Sequence, residues 1–459
     1  MRGFNEDSVE YWKKEVTRRG EDGRAYTGLA NAYSVAAKYD LALEAGLRAI
    51  ALNAADTVAH YLVVYALEQM DRIEESLIKT EEAFAICPDD GALRVHHAHL
   101  LGRRKRYDEA LSELEGVLSG NTGSSVQQRA VHEKGMILDR MGRYDEAFVC
   151  FQESGGLTKM SPPAKGFNRA ARFRKIRSYR ASIGSCVELR HLSSEMEQPC
   201  NAFQFAFLVG FPRSGTTMTE QILAAHPDIR AGDEWPLITE IGRDATEMVG
   251  GGMSAAALVQ RLSVDDVKNL RESYCKLMRN YMTGAMPSRV FVDKMPLNII
   301  DLPFIQLVFP DAKILVALRD PRDVCLSCFM QDFRLNNSMI HFLSLEDTVA
   351  FYCEVMGLYL DVKPKLSLDV AEVRYEDTVG DLEGSGRRLL EFLGVEWNDD
   401  ILSFHEQARE RMISTPSAAA VREPIHQRAV SRWKNYAKYF DAYQEKLRPF
   451  VEAFGYGEV

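Results

Sequence analysis

Four short tetrads punctuate the first third of the chain: Tyr39-Asp-Leu-Ala42, Ile73-Glu-Glu-Ser76, Tyr107-Asp-Glu-Ala110 and Tyr144-Asp-Glu-Ala147. Their small residues stand at 42, 76, 110 and 147, in steps of 34, 34 and 37, and the longer last step contains the Gly/Ser/Asn-rich stretch 120–125. A period of this kind restricts the fold more than any single motif, because every unit must offer its neighbour the same face. Units of about 34 residues are helix pairs, and a small residue at a fixed place lets the next helix approach closely. Stacking then joins the apolar faces into one core.

The remaining positions fit the tetratricopeptide frame. Tyr26, Leu29, Ala30 and Tyr33 fall on it in the first repeat, Pro88 closes the second, and Gly135 and Leu138 suit the fourth. Residues 1–160 are therefore expected to form an all-α solenoid, serving as a spacer or dimerisation element, or as a groove for a peptide or partner protein. Residues 161–199 are expected to cap or link this array, with a basic helix face carrying Lys165, Arg169, Arg172, Arg174, Lys175, Arg177 and Arg180.

From residue 200 to 459 the pattern changes to short apolar runs alternating with helical stretches. Residues 205–209, 290–292, 314–318 and 370–374 read as strands, with helices starting near Thr217, Asp301, Pro321 and Asp381. Such alternation implies a parallel sheet whose ligands collect at the carboxyl ends of the strands. The first strand runs into Gly210-Phe-Pro-Arg-Ser-Gly-Thr-Thr217, a phosphate-loop spacing in which Thr216 stands where a lysine is usual. Arg213, Lys294 and Arg319 sit at three strand ends, a set suited to a ligand with several negative charges.

These motifs, over roughly residues 200 to 435, resemble those of sulfotransferases that use 3′-phosphoadenosine 5′-phosphosulfate, and within them the tyrosylprotein sulfotransferase family. The resemblance implies an all-α tetratricopeptide solenoid followed by an α/β P-loop-like sulfotransferase domain with a central parallel sheet. It implies that Arg213, Ser214, Gly215, Thr216 and Thr217 hold the 5′-phosphosulfate and that Arg319 with Ser327 binds the 3′-phosphate. Lys294 would meet the bridging region, and Tyr375, Ser417 and Arg432 would complete the cofactor contacts. Glu234 matches the family's base, with Asp233 and His226 as rivals. Glu234, Lys294 and Arg213 are thus the expected catalytic set. Trp235 departs from the family, which has a small polar residue there.

A phosphosulfate explains the missing lysine: it offers less charge than a triphosphate and needs no metal. Backbone N–H groups, threonine hydroxyls, Arg213 and a lysine from another strand suffice. The expected product is 3′-phosphoadenosine 5′-phosphate, and the expected acceptor is a hydroxyl on a protein tyrosine or a glycan. A different class of reading is a repeat-based adaptor with an inactive nucleotide-binding domain. A net charge of −10 speaks against nucleic acid as partner. No run nears the roughly 18 apolar residues of a membrane span. Eight scattered cysteines and a start without an apolar leader point to the cytoplasm. The sequence leaves a homodimer through either half open.

Overall fold

The computed structural model describes residues 2–183, 203–251, 254–282, 289–410 and 421–457. The chain divides into two compact units, Met1–Lys165 and Gly166–Val459.

The described part of the first unit is helical. A leading helix α1 (Arg2–Arg19) is followed by four helix pairs. They are α2 (Gly23–Val35) with α3 (Tyr39–Leu52), α4 (Thr57–Gln69) with α5 (Ile73–Phe84), α6 (Gly91–Arg103) with α7 (Tyr107–Ser119), and α8 (Ser124–Arg140) with α9 (Tyr144–Met160). The period reaches the helix caps. Asp22, Asp56 and Asp90 cap α2, α4 and α6, accepting from the N–H groups of Arg24, Ala59 and Leu93. Each such cap contributes about 1 kcal/mol. It reaches the turns too: Ala37, Asp71, Lys105 and Gly142 take φ of 53°, 59°, 61° and 77° between the helices of each pair. The four small residues are fully buried, and Ser76 satisfies its hydroxyl by donating to the Val64 carbonyl at 2.7 Å.

One polar cluster ties three repeats together. The His99 imidazole on α6 lies 2.9 Å from Glu68 of α4 and 3.1 Å from Glu133 of α8. Burial pushes all three toward their neutral forms, but their mutual attraction outweighs it. His99 rises to about 10, and Glu68 and Glu133 are held at about 2.

In the second unit a five-stranded parallel sheet has the order β2-β3-β1-β4-β5. Its strands are β1 (Gln204–Gly210), β2 (Ile229–Asp233), β3 (Val290–Lys294), β4 (Lys313–Leu318) and β5 (Asp369–Arg374). The segment that becomes β2 is not among the strands expected from sequence. It is an edge strand with a half-polar face, Ile-Arg-Ala-Gly-Asp, so no apolar run announces it. The inner strands are buried on both faces. Phe205 and Phe207 meet Tyr274 and Phe309 on one side, at ring separations of 5.1–6.2 Å. Ala206 and Leu208 join Ile222, Leu389 and Leu390 in the core on the other.

Residues 166–183, expected to cap or link the array, fall in the second unit. The physical reason is charge pairing: Arg169 meets Asp347 at 2.8 Å, Arg180 meets Asp361 at 2.8 Å, and Lys175 meets Asp301. Arg172 donates to the Ser338 hydroxyl at 2.8 Å. Cys87, Cys150, Cys325, Cys328 and Cys353 are thiols, and Cys275 is disulfide-bonded. Among the described residues no helix is long and apolar enough to cross a membrane.

Candidate active site

β1 and β4 lie side by side, but the chain leaves β1 toward β2 and leaves β4 toward β5. That reversal opens a crevice at the carboxyl ends. The loop from Gly210 to Gly215 fills its rim and ends in the helix Thr216–Ala224. Both glycines are required by space. A Cβ on Gly210 would lie 2.6 Å from the Ala317 carbonyl oxygen, and one on Gly215, where φ is +98°, would lie 2.9 Å from the Tyr375 ring. Arg213 is held at φ 70°, a conformation that costs a non-glycine residue about 1–2 kcal/mol.

Hydrogen bonds from the β4 side hold that strained residue. Arg213 Nε donates to the Ser327 hydroxyl at 3.0 Å, while Arg319 Nη1 donates to the Arg213 carbonyl at 3.2 Å. Ser327 and Cys328 lie on the helix Pro321–Phe329, and the Cys328 thiol donates to the Pro212 carbonyl at 3.2 Å. Arg319 also donates to the Ala429 carbonyl, and its guanidinium stands 5.0 Å from the Tyr375 ring centre. The structure therefore brings Arg213, Arg319, Ser327, Gly215 and Tyr375 together. Arg432 acts on them electrostatically: burial, with Arg319 and Arg432 adding to it, pushes Arg213 down to about 10. Clustered guanidiniums of this kind favour an anionic ligand. Two buried polar atoms here, Arg319 Nε and the Ser214 hydroxyl, have no hydrogen-bond partner. Ser417 lies outside the described residues.

On the other side of β1, the register sets Lys294 beside both Leu208 and Asp233. Its side chain is fully buried, and Nζ lies 2.9 Å from Asp233, 3.2 Å from Glu234 and 3.2 Å from Glu220. Burial alone would favour the free amine, but the three carboxylates outweigh it and raise the lysine above its ordinary value. Of the three, Glu234 has the most open side chain, 39% exposed against 22% for Asp233 and 6% for Glu220. Glu234 sits at φ 30°, and the next residue, Trp235, stacks on Phe291 and Tyr281.

His226 is engaged structurally. Its Nε2 lies 2.9 Å from the Glu396 carbonyl and its Nδ1 accepts the Asp228 N–H at 3.1 Å. The sequence reading passed over Glu220. Only its surroundings in the fold mark it: from Thr216 to Leu223 every residue of the helix after the loop is buried, and a glutamate inside such a run needs a charged partner. Asp323 was also passed over. It is fully buried, 3.9 Å from Arg319, and accepts the Trp433 N–H at 2.7 Å. Burial raises it to about 6 against the pull of Arg319 and of that N–H.

Residues 206–399 match the profile of the sulfotransferase family. An uncharacterised protein of Aquifex aeolicus (strain VF5) is 25% identical over 403 residues, covering 85% of this chain and 49% of that protein. Protein-tyrosine sulfotransferase A of Caenorhabditis elegans is 27% identical over 244 residues, covering 50% of this chain and 60% of that enzyme. The chain thus spans about half of the one relative and three fifths of the other. Among solved structures, the sulfotransferase domain of the Synechococcus PCC 7002 olefin synthase aligns with a TM-score of 0.42 and 20% identity, covering 58% of this chain and all of that domain. By sequence, then, residues 206–399 match a sulfotransferase-family domain, and a tetratricopeptide-like helical array precedes them in the same chain.

Proposed function

We propose that the chain transfers a sulfuryl group from 3′-phosphoadenosine 5′-phosphosulfate to a hydroxyl acceptor. The observation that carries this reading is a division of labour across β1. Arg213, Arg319 and Ser327 form a cationic pocket on one side, and Lys294 with Glu234 forms an acid–base pair on the other. The gap between them is bridged by the glycine-bounded loop and the N-terminus of the helix Thr216–Ala224. A ligand charged at both ends matches that layout, with its ribose phosphate at Arg319 and Ser327 and its 5′ group on residues 213–217. Arg319 Nε and the Ser214 hydroxyl, both buried without partners, are donors such a ligand would satisfy. Tyr375 and Arg432 border the same pocket.

An acceptor hydroxyl is protonated near neutrality, tyrosine having a pKa of about 10, so a positioned base is required. Glu234 fills that role because it is the most open of the three carboxylates around Lys294. Lys294 stabilises charge that builds on the departing phosphate, as do N–H groups of the loop. Arg213 acts with them through the loop it anchors. The helical array recruits the acceptor or a partner protein, and the acceptor class is a protein tyrosine or a glycan. The cytoplasm is the proposed location.

The test is release of 3′-phosphoadenosine 5′-phosphate from the sulfated donor with tyrosine peptides and glycans as acceptors. Donor-dependent release that Glu234→Gln abolishes supports the reading. Nucleotide binding without release for any acceptor favours the adaptor alternative.

A further inference from the structure

Three carboxylates share one buried ammonium, so the cluster is unbalanced in charge. Asp233 and Glu234 each accept a hydrogen bond from Lys294, at 2.9 and 3.2 Å. Glu220 approaches the same nitrogen at 3.2 Å, without hydrogen-bond geometry, through an oxygen that has no other partner. Its second oxygen accepts from Gln221 Nε2 at 3.0 Å. If all three acids were ionised, the spot meant to receive a polyanion would carry two uncompensated negative charges. Burial on this scale neutralises a carboxylate instead. Exposure ranks Glu220 as the one to hold the proton, since its side chain is 6% accessible.

We propose that Glu220 is a positioning residue for Lys294 that holds a proton in the receptive site, so that capture of the anionic 5′ group requires its neutral carboxyl. The inference rests on the donor assignment made above. The charged groups acting on Glu220 are Lys294 from β3, Asp233 from β2 and Glu234 just beyond it. β1 supplies no ionisable side chain, and the elements packed on the other side of the Glu220 helix carry Asp399, Asp400, His405, Glu406 and Arg409, none of them among the largest influences on Glu220. Burial, against the pull of Lys294, raises Glu220 to about 7, so its ionisation falls in the working range. Once ionised, Glu220 competes for the ammonium and repels the incoming phosphate. Binding above that range then takes one proton from the buffer onto the Glu220 carboxylate, giving the neutral acid.

Calorimetric titration of the full chain with 3′-phosphoadenosine 5′-phosphate, in buffers of different ionisation heat, tests this. At about pH 8 the wild type takes up protons, and its affinity falls by up to about tenfold for the pH unit above about 7. Phosphates entering a cationic site release protons, so uptake has the opposite sign from the ligand's own titration. Glu220→Gln, permanently neutral and of the same shape, binds without that uptake and with a flat affinity over the same range. Equal uptake and equal pH slope in both proteins overturn the proposal. Should the variant not fold, the wild type still decides: uptake supports the proposal, and release or no exchange overturns it. A wild type that binds the nucleotide without uptake sinks this inference alone, whereas one that binds it at no pH sinks the donor assignment as well.

Discussion

Replacing Arg319 with alanine separates a ligand contact from a structural one. In the structure Arg319 donates to the carbonyls of Arg213 and Ala429 and keeps Nε unpartnered. The two carbonyl bonds, in which only the donor is charged, contribute about 1.5 kcal/mol each to holding the loop, while bonds to a phosphate, charged on both sides, are worth up to about 3 kcal/mol. Asp323, 3.9 Å away and already raised to about 6, takes up a proton when the arginine is removed, which limits the cost to the fold. The specific loss should therefore appear only with ligands that carry a 3′-phosphate. Calorimetry with 3′-phosphoadenosine 5′-phosphate should show affinity reduced about 10- to 100-fold in Arg319→Ala. With adenosine 5′-phosphate the change should stay within about threefold, because the shared 5′ end rests on other residues. Equal losses for both nucleotides would refute the assignment and leave Arg319 as a loop strut.

Lys294→Ala should lower turnover about 10²–10³-fold while changing donor affinity less, as expected for charge stabilised in the transition state. Steady-state kinetics with varied donor checks the split, and circular dichroism checks that three carboxylates left without their counter-ion have not unfolded the domain. Gly210→Ala places a Cβ 2.6 Å from a backbone oxygen of β4 and should abolish nucleotide binding while the helical array keeps its far-ultraviolet signal. In the array, the His99 bridge carries a pH signature. His99 is raised to about 10, so its stabilisation is complete below the unfolded value of about 6.5 and lost as pH rises through 10. Glu68 and Glu133 are held at about 2, so theirs is present above about 4.5 and lost as pH falls toward 2. His99→Gln should cost about 2 kcal/mol at about pH 6 and much less at about pH 10, read by thermal melts of the full chain at both.

Sequence made the repeat legible because each unit must match its neighbours: Ala42, Ser76, Ala110 and Ala147 are fully buried, and the cap and turn residues share their spacing. The phosphate-type loop was legible because space dictates its glycines at 210 and 215. Legibility failed where partners arrive from elsewhere in the chain. β2 carries no apolar run, so only its pairing with β3 makes it a strand. Glu220 is set apart only by its burial, which a single sequence does not state. Arg213 donates to Ser327, a partner 114 residues further along the chain, and spacing alone does not reveal that pairing.

The most direct measurement is a crystal structure of the chain with 3′-phosphoadenosine 5′-phosphate bound. The prediction is a ribose phosphate within hydrogen-bond reach of Arg319 and Ser327, and a 5′-phosphate on residues 213–217 facing Lys294. A nucleotide bound with its 3′-phosphate in solvent, or held elsewhere on the domain, would contradict it.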